Sequence, residues 1–148
     1  MDRKNFIKKC GFACAGAAGI TALLQSCATA KILNGKIVGD DLVVPVSDFY
    51  GKNEKDNHIK KYLIVQHDLL QYPICVYRVN EHEYTALWMR CTHQGMELQV
   101  FGDKLQCPAH GSEFSSKGTV QNGPADAGLR TFPVIIVNNQ LNISLKAV

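Results

Sequence analysis

From residue 41 onward the chain alternates short apolar runs with polar, turn-forming breaks. Leu42-Val43-Val44-Pro45-Val46, Tyr62-Leu63-Ile64-Val65, Ile74-Cys75-Val76-Tyr77-Arg78 and Tyr84 to Arg90 each have the length and β-branched or aromatic content of a strand. Leu98-Gln99-Val100-Phe101 and Lys104-Leu105-Gln106 flank Gly102-Asp103, a hairpin signal. Val134-Ile135-Ile136-Val137 and Leu141-Asn142-Ile143-Ser144-Leu145 flank Asn138-Asn139-Gln140, a second one. Residues 31–60 read as an entry segment, with Gly51 to Lys60 a polar surface loop. No ten-residue amphipathic helical pattern and no internal repeat occurs after residue 31. Many short strands joined by close turns predict an all-β sandwich or barrel.

The first thirty residues follow a different plan. Arg3, Lys4, Lys8 and Lys9 make a basic start, and residues 10–30 carry no charge. Charged start, apolar middle and small-residue end are the layout of an export signal. Leu24-Gln25-Ser26-Cys27 resembles a bacterial lipobox, which predicts cleavage before Cys27 and lipidation of its thiol. An uncleaved membrane anchor and a plain cleaved signal are the alternatives, since 21 uncharged residues could just span a bilayer. Asp2-Arg3-Lys4-Asn5-Phe6-Ile7-Lys8 also resembles a twin-arginine export motif, with lysine in place of the second arginine. The predicted division is therefore 1–26 export signal, 27–40 linker and 41–148 folded domain. The expected location is a bacterial membrane surface, as an exported lipoprotein facing the periplasm or the extracellular side.

Charge then narrows the function. The net charge is +3, but four of the 16 Lys and Arg and one of the 13 Asp and Glu lie within residues 1–26. The remainder carries twelve of each sign. A nucleic-acid partner needs its basic excess on the folded domain, so that class is excluded.

The candidate chemistry lies in two boxes, Cys91-Thr92-His93-Gln94-Gly95 and Cys107-Pro108-Ala109-His110-Gly111-Ser112. Each supplies one thiolate and one imidazole. Thirteen residues holding the Gly102-Asp103 hairpin separate His93 from Cys107, a spacing that lets the boxes face each other. Gly95 and Gly111 follow the histidines where the backbone must turn tightly. Two Cys and two His also suit tetrahedral zinc, although zinc sites usually take both cysteines from one turn. Cys75 matches no ligand position and is expected to be a buried structural thiol. His58, His67 and His82 are expected at the surface, and Trp88 and Met89 in the core.

The order Cys-x-His, then Cys-x-x-His, each followed by glycine, resembles the Rieske family, over roughly residues 40–148. The resemblance implies an antiparallel β-sandwich or barrel with a small cluster-binding subdomain of two loops and a proline loop. It implies one 2Fe–2S cluster, with Cys91 and Cys107 on the iron that stays ferric and His93 and His110 on the reducible iron through Nδ1. It further implies that Ser112 donates to a cluster sulfide and that Asn122-Gly123-Pro124-Ala125 is the proline loop, with Gly123 and Pro124 covering the cluster. Two departures stand out. Met96 and Ala109 occupy the positions where subunits of cytochrome bc-type complexes carry cysteines that pair in a disulfide, and Phe114 stands where they carry a tyrosine. The implied function is one-electron transfer by a membrane-tethered protein with no catalytic site beyond the cluster, its partner a redox protein or a membrane quinol system. The alternatives are the Rieske subunit of a quinol-oxidising cytochrome bc-type complex and the small subunit of a multi-chain oxidoreductase. A reduction potential in the middle or lower part of the family's range follows from the two departures.

Overall fold

The structure is a computed structural model that describes residues 31–51 and 58–146. The predicted export signal and Cys27 lie outside the described residues. Among the described residues, thirteen short strands make up three sheets. β1 (Ile32–Asn34), β4 (Tyr62–Gln66), β5 (Ile74–Arg78), β6 (Tyr84–Trp88) and β11 (Thr131–Phe132) form a five-stranded sheet in the order β1-β4-β5-β6-β11. β2 (Lys36–Val38), β3 (Asp41–Pro45), β12 (Val134–Val137) and β13 (Gln140–Ser144) form a second, in the order β12-β13-β3-β2. β7 (Gln99–Phe101), β8 (Lys104–Gln106), β9 (Glu113–Ser115) and β10 (Val120–Asn122) form a small third sheet in the order β10-β9-β8-β7. A 3₁₀ turn covers Val46–Phe49. Among the described residues no helix is long and apolar enough to cross a membrane.

The first two sheets pack as a sandwich. Leu42 and Val44 of β3 with Leu141 and Ile143 of β13 meet Leu63, Val65, Ile74, Val76 and Ala86 of the five-stranded sheet. β3 and β13 bury every second residue, as strands with one wet face must. β5 buries four consecutive residues, Ile74 to Tyr77, because it is central and covered on both faces. Phe49, on the 3₁₀ turn, fills the end of the core and has no solvent exposure. Burying side chains of this size contributes about 1.5–3 kcal/mol each.

Two hairpins keep their predicted places. Phe101 pairs with Lys104, so Gly102-Asp103 is a two-residue loop, with Gly102 at φ +66°. Val137 pairs with Gln140, so the second loop is Asn138-Asn139 alone and Gln140 belongs to β13. Both asparagines have positive φ, 49° and 62°, the backbone that a type I′ turn demands. Two features differ from the expected pattern. Within the stretch read as a linker, residues 32–34 and 36–38 are strands that extend the first and second sheets. β1 also runs parallel to β4, so the architecture is antiparallel except at that edge. Both strands are three residues long and only half-bury their middle residue, too weak a pattern to show against polar neighbours.

The third sheet matters most for the site, because its register gathers three loops at one end. Gln99 at the start of β7 pairs with Gln106 at the end of β8, and Gln106 pairs with Glu113 at the start of β9. Asn122 at the end of β10 also pairs with Glu113. The first box, the second box and the segment after Asn122 therefore leave the sheet at the same edge. Leu105 and Phe114 close the buried face, and Lys104 holds Glu113 at 2.7 Å on the other.

Candidate metal centre

The two boxes fold into loops with the same internal hydrogen bonds. In each, the cysteine N–H donates to the carbonyl five residues on: Cys91 to Met96 at 2.8 Å, and Cys107 to Ser112 at 2.8 Å. In each, the glycine N–H four residues on donates back to the cysteine carbonyl: Gly95 to Cys91 at 2.9 Å, and Gly111 to Cys107 at 3.0 Å. Both turns close on a left-handed glycine, with φ of +75° at Gly95 and +79° at Gly111. At Gly95 a Cβ would also come within 3.3 Å of the Arg90 guanidinium. A side chain at either position would therefore strain the turn.

Of the four candidate donors, two are thiols and two are imidazoles, one of each on either loop. Cys91 and Cys107 are buried free thiols. The rings of His93 and His110 lie edge to face with centroids 5.1 Å apart. His110 is exposed and His93 half-buried. Nδ1 of His93 is buried and has no hydrogen-bond partner, an uncommon state for a polar atom in a folded protein. Among the described residues no three His, Cys, Asp or Glu side chains converge as one metal ion would require. A binuclear cluster asks only two ligands of each iron, and two thiols with two imidazoles suit it. The thiols would supply charge to such a cluster, and the imidazoles would leave it easier to reduce than four thiolates would.

The segment after Asn122 closes the third side. Ser112 has no solvent exposure, and its Oγ accepts the Ala125 N–H at 3.0 Å. That bond engages the oxygen and leaves the hydroxyl hydrogen free to donate. Asn122 Nδ2 donates to the Gly111 carbonyl at 3.3 Å, and Thr92 Oγ1 donates to the Ala127 carbonyl at 2.7 Å. Residues 122–127 thus bond to both loops. Gly123 and Pro124 between them are exposed.

The other residues singled out in the sequence lie as follows. Phe114 is fully buried in β9, opposite Leu105 and next to Val120. Met96 is 47% exposed and Ala109 is also exposed, and neither can form a disulfide. Cys75 is buried in the centre of the five-stranded sheet, and burial pushes its thiol up to about 12. His58 and His82 are exposed, and His67 is half-buried with its Nδ1 accepting the Leu69 N–H at 3.1 Å. Met89 is buried, and Trp88 packs against the core with the Tyr72 ring edge-on at 5.5 Å. The sequence reading gave no part to Tyr72, whose hydroxyl donates to the Gly95 carbonyl at 2.5 Å. Its loop between β4 and β5 carries no motif that would have marked it.

Two matched loops at the end of a β-sandwich, each offering one thiol and one imidazole, fit the class of binuclear iron–sulfur proteins. The family model described as the Rieske [2Fe-2S] domain matches residues 51–133, more than half of the chain, and the chain belongs to that family; its cofactor is a 2Fe–2S cluster. Cytochrome b6-f complex iron-sulfur subunit 1 from Synechocystis sp. is 39% identical over 56 residues, 36% of this chain and 32% of that protein. The chain thus matches about a third of the length of that relative. The cyanobacterial plasma membrane Rieske protein PetC3 from Synechocystis PCC 6803 superposes with a TM-score of 0.50 at 28% identity, over 57% of this chain and 86% of the other. A chain from the complex of reduced oxygenase and oxidized ferredoxin in carbazole 1,9a-dioxygenase superposes with a TM-score of 0.51 at 23% identity, over 70% of this chain and 91% of the other, a likeness of fold.

Proposed function

We propose that Cys91, His93, Cys107 and His110 hold the cluster, and that the protein carries one electron at a time between redox partners. The observation that carries this reading is the pair of identically bonded loops with a buried, unpartnered Nδ1 on His93. When bound, the cluster supplies a one-electron couple. The chain's own residues do the rest. Cys91 and Cys107 are buried, which keeps water from the thiolates. His110 is exposed, so the histidine side of the site faces a partner. Ser112 is fixed by the Ala125 N–H with its hydroxyl hydrogen available to a cluster sulfide. Gly95 and Gly111 supply turns that no other residue adopts without strain. Replacement of Cys91 by Ser or His110 by Ala tests the ligand set. Each variant loses iron and acid-labile sulfide if the assignment is right, and each keeps the parent's full iron and sulfide if it is wrong.

A membrane tether completes the reading. The Leu24-Gln25-Ser26-Cys27 box supports a lipid on Cys27 and a location outside the cytoplasm, and the plasma membrane relative is consistent with that surface. A second reading, the Rieske subunit of a quinol-oxidising complex, draws support from the cytochrome b6-f subunit relative. Met96 and Ala109 count against it, because that group ties its loops together through cysteines at those positions. Purification from native membranes separates the two readings: a lone carrier comes away free, and a subunit comes away with cytochrome partners.

A further inference from the structure

The two loops share one feature beyond their internal bonds. The carbonyl of each turn glycine accepts a hydrogen bond from a side chain outside its own loop. Tyr72 Oη donates to Gly95 at 2.5 Å, and Asn122 Nδ2 donates to Gly111 at 3.3 Å. Gly95 and Gly111 hold equivalent places, four residues after the cysteine of each box. Since each glycine N–H already bonds back to its cysteine, fixing the carbonyl sets the plane of the following peptide as well. Gly111 directly follows His110, and Gly95 lies two residues after His93.

The two donors differ in how firmly they are held. Tyr72 precedes the buried Pro73, whose carbonyl takes the Met89 N–H at 3.0 Å. The Tyr72 ring stands at 86° against Trp88, and the Arg90 guanidinium lies 5.7 Å from the Trp88 ring centroid. The first loop is thus braced from the sandwich. The second loop is braced from β10 by an amide that is exposed and a longer bond. Neither loop is linked to the other through the Met96 and Ala109 positions.

We infer that Tyr72 and Asn122 are paired positioning residues, each capping the equivalent glycine carbonyl of one cluster loop, and that the Tyr72 cap is the stronger. The inference rests on the reading that these loops hold the 2Fe–2S cluster. Tyr72→Phe keeps the ring against Trp88 and removes only the hydroxyl. Asn122→Ala removes the amide, and Asn122→Ser restores a donor. The test uses the full-length holoprotein, with cluster loss to a chelator, the paramagnetic resonance line shape of the reduced protein and its midpoint potential as readouts.

Tyr72→Phe is expected to lose its cluster roughly threefold to tenfold faster than the parent, the effect of one part-buried hydrogen bond. Its line shape and midpoint are also expected to move, which a purely structural weakening would leave in place. Asn122→Ala is expected to change the same readouts in the same direction by less, and Asn122→Ser to return toward the parent. Parent-like loss rate, line shape and midpoint in Tyr72→Phe would overturn the inference, as would a larger effect at Asn122 than at Tyr72. A parent protein that binds no iron and no sulfide would instead overturn the cluster assignment beneath it, so the two failures are distinguishable.

Discussion

Ser112→Ala is the substitution whose consequences the structure constrains most tightly. The hydroxyl has no solvent exposure and accepts the N–H of Ala125, itself 5% exposed, at 3.0 Å. Removing the oxygen leaves that N–H buried without a partner, which costs about 1–3 kcal/mol of stability. The hydroxyl hydrogen, which the Ala125 bond leaves free, is the group assigned to a cluster sulfide. Reduction adds one negative charge to the cluster, so a donor at the sulfide stabilises the reduced form more than the oxidised form. Loss of the donor therefore lowers the midpoint. A hydrogen bond to a charged group contributes about 1.5–3 kcal/mol, which corresponds to roughly 65–130 mV for one electron. The upper end applies only if the whole bond energy separates the two oxidation states. Protein-film voltammetry gives the midpoint, and thermal unfolding of the same sample gives the stability. A variant that keeps its cluster and shows an unchanged or raised midpoint would refute the donor role, even if its stability had fallen.

Three other outcomes follow from the fold and the N-terminal segment. Asn139→Ala should destabilise the β12–β13 hairpin by about 1–2 kcal/mol, because residue 139 sits at φ 62°, and denaturant unfolding measures the loss. Burial raises the Cys75 thiol to about 12 from an ordinary value of 9.0, so its contribution to stability is complete below pH 9 and falls as the pH rises toward 12; stability curves at pH 8 and pH 10.5 should show that decline, softened in Cys75→Ala. Cys27→Ala should release the protein from membranes if a lipid is the tether, and mass spectrometry of the membrane-extracted parent should find a lipidated Cys27 at the N-terminus rather than an intact Met1.

The fold was legible in the sequence where strands are long and half-buried. β3, β4, β5, β6, β12 and β13 stand out because their apolar residues repeat or run together over four or five positions. The strands that gave no signal are two or three residues long. Glu113–Ser115 and Val120–Asn122 bury at most one residue each, and their pairing is decided by the loops they support. The parallel pairing of Ile32–Asn34 with β4 is a contact between segments some thirty residues apart and leaves no local mark. The candidate site was legible for a different reason. Metal chemistry restricts the choice to a few residue types, and the tight turns restrict two positions to glycine, so Cys91, His93, Gly95, Cys107, His110 and Gly111 show in the sequence alone. Tyr72 did not, because any polar group at the right height could cap a carbonyl, and its partner lies 23 residues away. Thr92 was visible as part of the first box and Asn122 as part of the proline loop, but their bonds to Ala127 and Gly111 depend on three loops meeting at one sheet edge.

The central claim is that the two loops carry a histidine-ligated 2Fe–2S cluster that exchanges single electrons. Analysis of the native holoprotein for iron, acid-labile sulfide and midpoint potential in one preparation tests it most directly. Two irons and two sulfides per chain are expected, with a one-electron midpoint between about −150 and +300 mV and in the middle or lower part of that range. Stoichiometric zinc without sulfide, or a midpoint near −400 mV as in clusters held by four cysteines, would contradict it.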